Sequence, residues 1–114
     1  MARNITFNQT DIQALESPIY AVETDSVTFA CTFWTTVSSV TAVTCYVNKQ
    51  DKTSTLMPSG SHSVSGKVAT LKPLAISALT GAGGRRIVVN VKVVINSDTV
   101  TKQFVVIVRK DEVE

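Results

Sequence analysis

In the stretch RRIVVNVKVVINSDTVTKQFVVIVRK, apolar and polar side chains alternate on both sides of Asn96, Ser97 and Asp98. A period of two puts alternate side chains on opposite faces of an extended backbone, so this stretch predicts two strands joined as a hairpin. With Ser97 and Asp98 as a two-residue turn, Ile95 faces Val100, Val91 faces Phe104, Val89 faces Val106 and Ile87 faces Val108. Lys102, opposite Val93 in that register, is the discordant residue. Its stem is expected to lie over the core and release the ammonium at the rim. The run FVVIV in the second strand is hazardous as an open edge, so it must be paired within the sheet or covered by the N-terminal segment or a neighbouring subunit.

The same period recurs upstream. Val27, Phe29, Cys31 and Phe33 alternate with Thr28, Ala30 and Thr32; Val43, Cys45 and Val47 alternate with Ala42, Thr44 and Tyr46. A shorter strand is predicted at 19–22 after Pro18, one at 68–71, and a short edge strand at 53–57 within the polar stretch 48–67. LAISALTGAGG reads as a corner with a short helical turn. About seven short strands, with no helical stripe longer than two turns, predict an all-β chain, an antiparallel sandwich of two packed sheets. Residues 1–16 read as a polar arm with the apolar anchors Ile5, Phe7, Ile12 and Leu15, residues 17–110 as the sandwich, and residues 111–114 as a tail.

Composition narrows the function classes. The chain has 114 residues, enough for one domain with a sizeable core that needs no metal or disulfide to fold. Charged residues are 18% and the net charge is +2, far from the concentrated positive charge of a nucleic-acid binder. No apolar stretch approaches the roughly twenty residues of a membrane span, and the first sixteen residues hold no apolar core of a signal peptide. The expectation is a protein made and kept in the cytosol, or exported without a classical signal, with neither a nucleic-acid nor a membrane partner. Asn4 and Asn8 each open a glycosylation tripeptide, which carries no weight without export.

Candidate chemistry is sparse. His62, the lone histidine, sits in SGSHSVSG with no metal-ligand spacing around it, and reads as a solvated loop residue. A serine-histidine-acid arrangement has no helix after a nucleophile turn to support it. Cys31 and Cys45 fall on inward rows of what read as adjacent strands, where thiols behave as small hydrophobes; the expectation is two reduced, buried thiols. Gly81, Gly83 and Gly84 before Arg85 and Arg86 feed a strand rather than a helix, so they read as a positive-φ turn and not a phosphate cradle. Arg85 and Arg86, with Lys67 or Lys72, are candidates to dock an acidic protein surface. Trp34 points away from the row of Phe29, Cys31 and Phe33, and either caps one end of the sandwich or stands exposed as an interface anchor. No catalytic group, metal or cofactor is expected.

Four segments carry a family resemblance. SVTFACTFW resembles strand B and VTAVTCYVN strand C of the immunoglobulin-like superfamily, while RRIVVNVKVVIN and TVTKQFVVIVR resemble strands F and G. Strand F lacks the usual cysteine, and no tyrosine precedes it. The chain is therefore more similar to disulfide-free Ig-like modules of bacterial surface proteins and tailed-phage virions, where an L-T-G…G corner precedes a long hairpin. That resemblance implies a non-enzymatic structural module, a capsid decoration or head-associated protein assembled into the virion in the host cytoplasm. Its partners would be other virion proteins or further copies of itself, bound through Ile5, Phe7, Ile12, Leu15, Trp34, Arg85 and Arg86. A carbohydrate-binding or adhesion module on a bacterial or viral surface is the alternative.

Overall fold

The computed structural model describes residues 3–79 and 85–110. Its strands in chain order are β1 (Arg3–Thr6), β2 (Ile19–Val22), β3 (Ser26–Val27), β4 (Phe29–Thr32), β5 (Ser39–Val47), β6 (Gln50–Asp51), β7 (Ser63–Ser65), β8 (Val68–Thr70), β9 (Leu74–Ala75), β10 (Arg86–Ile95) and β11 (Asp98–Arg109). A single turn of helix, α1 (Thr53–Leu56), and a 3₁₀ turn at Ile76–Ala78 complete the described elements. The fold is all-β. A five-stranded sheet runs β2-β11-β10-β5-β6, a four-stranded sheet runs β1-β4-β8-β7, and β3 pairs with β9.

The long hairpin forms with a turn one residue earlier than its pattern predicts. Asn96 and Ser97, at φ of 51° and 69°, are the two turn residues, and Ile95 pairs with Asp98. Such turns require positive φ at both central positions, which asparagine tolerates, whereas Asp98 stays extended and joins the ladder. The pairing therefore moves by two: Val93 meets Val100, Val91 meets Lys102, Val89 meets Phe104 and Ile87 meets Val106. A shift by two preserves each residue's face, so both inward rows remain inward.

The N-terminal segment is built into the body. β1 runs parallel to β4, and β2 runs parallel to β11, so the first strands join both large sheets in parallel while the later pairings are antiparallel. Ile5 and Phe7 are 1% and 2% exposed. The expected arm at 1–16 is thus corrected over its described part: Ile5 and Phe7 alternate with Thr6 and bury the same face as any strand. The FVVIV run is covered on both sides, by β10 and by the segment leading into β2, where Gln103 N–H donates to Ile12 O at 2.8 Å and Ala14 N–H donates to Gln103 O at 2.9 Å.

The core lies between the two larger sheets. Phe29 of β4 meets Phe104 of β11 with ring centroids 4.9 Å apart, Phe7 lies 6.4 Å from Phe104 and 5.1 Å from Phe33, and Phe33 lies 5.9 Å from Trp34. Burying each phenylalanine contributes about 1.5–3 kcal/mol. These contacts join the N-terminal segment, one sheet and the other into a continuous aromatic run.

Residues 53–57, expected as an edge strand, form α1 instead. Thr53 N–H and O–H both donate to Asp51 Oδ1, at 2.9 and 2.6 Å, and Thr53 Oγ1 accepts from Cys45 N–H at 2.9 Å. This fixes the turn against the β5 edge and brings Leu56 and Met57 into the core, at 0% and 3% exposure. The corner read in LAISALTGAGG begins as β9 and the 3₁₀ turn. The glycine cluster at 81–84 and the tail at 111–114 lie outside the described residues.

Candidate functional site

The seven residues expected at a partner surface separate into different environments. Ile5 and Phe7 belong to the core and are withdrawn from any partner surface. Ile12 and Leu15 are 55% and 62% exposed. Their backbone is nonetheless pinned: Leu15 N–H donates to Thr6 O at 2.9 Å, and the Glu16 carboxylate accepts from Thr6 N–H and O–H at 2.6 and 2.8 Å. Asn8 Oδ1 accepts from Asp11 N–H at 2.7 Å, closing a tight local turn.

Lys102 holds the same segment from beneath. It is 5% exposed, and its ammonium donates to Asp11 O at 2.7 Å and Gln9 O at 3.3 Å while lying 5.1 Å from the centroid of Trp34. The stem crosses the core face as expected; the charge ends on backbone carbonyls and an aromatic face. Trp34 is partly buried and packs against the core, which is the capping arrangement of the two open readings.

Arg86 takes part in a cleft that sequence reasoning did not assemble. Because Val88 pairs with Tyr46, and Asn90 pairs with both Thr44 and Gln103, the outward rows of β5, β10 and β11 align across three strands. The turn Asn48–Lys49, at φ of 52° and 65°, closes one end. The resulting hollow of about 540 Å³ is lined by Tyr46, Asn48, Lys49, Arg86, Val88, Asn90 and Gln103. A second hollow of about 320 Å³ shares Arg86 and adds Gln13, Ser17, Pro18, Val105 and Ile107. Arg85 lines a third with Asn48 and Lys52. The companions of the two arginines are therefore Lys49 and Lys52 rather than Lys67 or Lys72; Lys72 lines a separate hollow with Asp51 and Met57. The available signal for Tyr46, Asn90 and Gln103 was their outward parity; the missing one was register.

Tyr20, 49% exposed, was also missed. The Arg109 guanidinium lies 4.5 Å from its ring centroid, and Arg3 Nη1 donates to its carbonyl at 2.7 Å.

The thiols stand apart from this surface. Cys31 is on β4 and Cys45 on β5, strands of different sheets rather than adjacent partners, and both are free and fully buried. Burial, reinforced by Glu16 for Cys31 and Asp51 for Cys45, pushes both thiols up to about 12. They remain protonated and poorly nucleophilic. His62 is half-buried rather than solvated: its Nδ1 accepts from Lys72 N–H at 3.1 Å, and burial followed by the Lys72 charge holds it below its ordinary value. Among the described residues no three His, Cys, Asp or Glu side chains group to hold a metal ion.

No family model matches the chain, and no curated protein or solved structure shows significant similarity to it.

Proposed function

We propose that the chain is a non-enzymatic interaction module, an Ig-like sandwich that serves a tailed-phage virion as a capsid decoration or head-associated protein. The order β5-β10-β11 in one sheet and β4-β8-β7 in the other supports the Ig-like reading, because C-F-G and B-E-D are the corresponding orders of that superfamily. The parallel pairing of β1 with β4 is a variation on it. The virion assignment draws on the resemblance of the strand-B, -C, -F and -G segments.

The observation that carries the functional reading is the presentation of Ile12 and Leu15. Both are large, aliphatic and more than half exposed, on a backbone tied to both sheets. Holding them in place before contact reduces the ordering cost that a flexible arm would incur on binding. Partner contact through surface complementarity then requires no rearrangement of the body.

The test is co-expression with the products of the genes adjacent to its own, followed by co-purification. The wild-type chain is expected to retain a capsid, portal or head protein, or to multimerise. The double variant Ile12→Ser/Leu15→Ser is expected to lose that partner while keeping its melting temperature. A wild-type chain that stays monomeric and retains none of these products contradicts the proposal.

A further inference from the structure

We propose that the Tyr46–Arg86–Asn90 cleft on the outer face of the five-stranded sheet binds an organic carboxylate, seating the oxyanion on a set of donors and the organic body against Tyr46 and Val88. The inference starts from a chain of hydrogen bonds with one direction. Val105 N–H can only donate, and it donates to Ser17 Oγ at 3.1 Å. Ser17 passes its own proton to Gln13 Oε1 at 3.0 Å. Gln13 Nε2 donates to Gln103 Oε1, and Gln103 Nε2 donates to Asn90 Oδ1 at 2.9 Å. The chain ends on the Asn90 oxygen, and Asn90, whose amide nitrogen is a donor, lines the cleft.

Of the other polar groups of the cleft, Asn48 carries an amide that can donate or accept, and the rest favour an anion. Arg86 and Lys49 are donors only, and Tyr46 has a hydroxyl that donates to an anion. Among the described residues, no Asp or Glu lines the cleft. Asp51, paired with Tyr46 across β5 and β6, accepts from Thr53 N–H and O–H through its carboxylate. A donor-rich hollow with two cations is matched by an oxyanion, and the planar guanidinium suits a carboxylate in a two-bond fork. The volume of about 540 Å³ accommodates a small organic molecule rather than a bare ion. Tyr46 and Val88 add the apolar lining that such a body requires.

This site is independent of the virion assignment and of Ile12 and Leu15, so either proposal can fail alone. The test follows the side-chain amide signals of Asn90 and Gln103 by NMR during millimolar titration with sodium glucuronate, sodium benzoate, inorganic phosphate or glucose. Glucuronate or benzoate is expected to shift these signals in a saturable manner, and the stronger of the two identifies a sugar acid or an aromatic acid as the body. Asn90→Asp keeps the oxygen that Gln103 bonds while replacing the amide donor with an anion; Arg86→Gln removes the fork. Each is expected to weaken binding about tenfold or more, corresponding to one or two charge-assisted hydrogen bonds, with the melting temperature little changed. Absence of saturable shifts with both carboxylates, equal shifts with glucose or phosphate, or binding unaffected by both substitutions overturns the proposal.

Discussion

Ser97 occupies a backbone conformation that its side chain disfavours. Its φ of 69° follows Asn96 at 51°, and the Asn48–Lys49 turn repeats the pattern, so these two hairpin turns place asparagine first and a strained residue second, whereas the β7–β8 turn places Gly66 first. Ser97→Gly is expected to stabilise the chain by about 0.5–1 kcal/mol, read as a higher urea midpoint with an unchanged slope. No change, or a loss, would contradict the positive-φ assignment. The misplacement of this turn in the sequence pattern has the same physical origin: Ser97 and Asp98 are both common turn residues, while the choice between them depends on which pair of residues tolerates the left-handed region.

His62 contributes a pH dependence whose sign follows from its hydrogen bond. Nδ1 accepts from Lys72 N–H only while the ring is neutral, so protonation removes the acceptor. The native pKa lies below the ordinary value of 6.5, hence the unfolded chain binds the proton more readily. The stabilisation is fully present above pH 6.5 and is lost as pH falls from there through the lowered native value. In His62→Asn, which retains a side-chain oxygen but does not titrate, the melting temperature is expected to fall less between pH 7 and the acid side of that window. An identical pH profile in both proteins would exclude His62 as the source. The histidine was misread as solvated because its loop composition is polar; the contact is to a backbone amide ten residues away, which composition cannot reveal.

Among the elements, β1 departs furthest from expectation. Isolated strands of four residues are weak signals, and Ile5 and Phe7 in a polar surrounding resemble anchors on an arm. Their parity nevertheless matched a buried strand, and the aromatic run from Phe7 through Phe33 and Phe104 uses it. Phe7→Ala is expected to cost about 3–5 kcal/mol by leaving a cavity between the sheets, measured by chemical denaturation. A cost within the range of a surface substitution would show that the first strand is dispensable. The longer strands were legible because their alternation ran for six residues or more; α1 was not, since the β-branched composition of its threonines outweighed the local Thr53–Asp51 bonds that close a helical turn. Of the cleft, only Arg86 was legible. Its companions Tyr46, Asn90 and Gln103 come together through the registers of two strand pairings, information that no single segment contains.

At the scale of the molecule, the N-terminal segment links both sheets and covers the edge of β11, so the surface it offers is rigid. Lys102 beneath it, the Glu16 carboxylate on Thr6 and the paired amides of Gln13 and Gln103 tie that surface to the core. The proposed function draws on this arrangement: a body stabilised by sheet pairing, carrying Ile12 and Leu15 outward on one segment, with a separate donor-rich cleft on the five-stranded sheet. The proposed virion role is tested most directly by co-sedimentation of the purified chain with heads of the tailed phage to which the proposal assigns it. The wild-type chain is expected to pellet with the heads at a fixed stoichiometry, and Ile12→Ser/Leu15→Ser to remain in the supernatant with its fold intact. Wild-type protein left entirely in the supernatant, or a double variant that pellets equally well, would contradict the account.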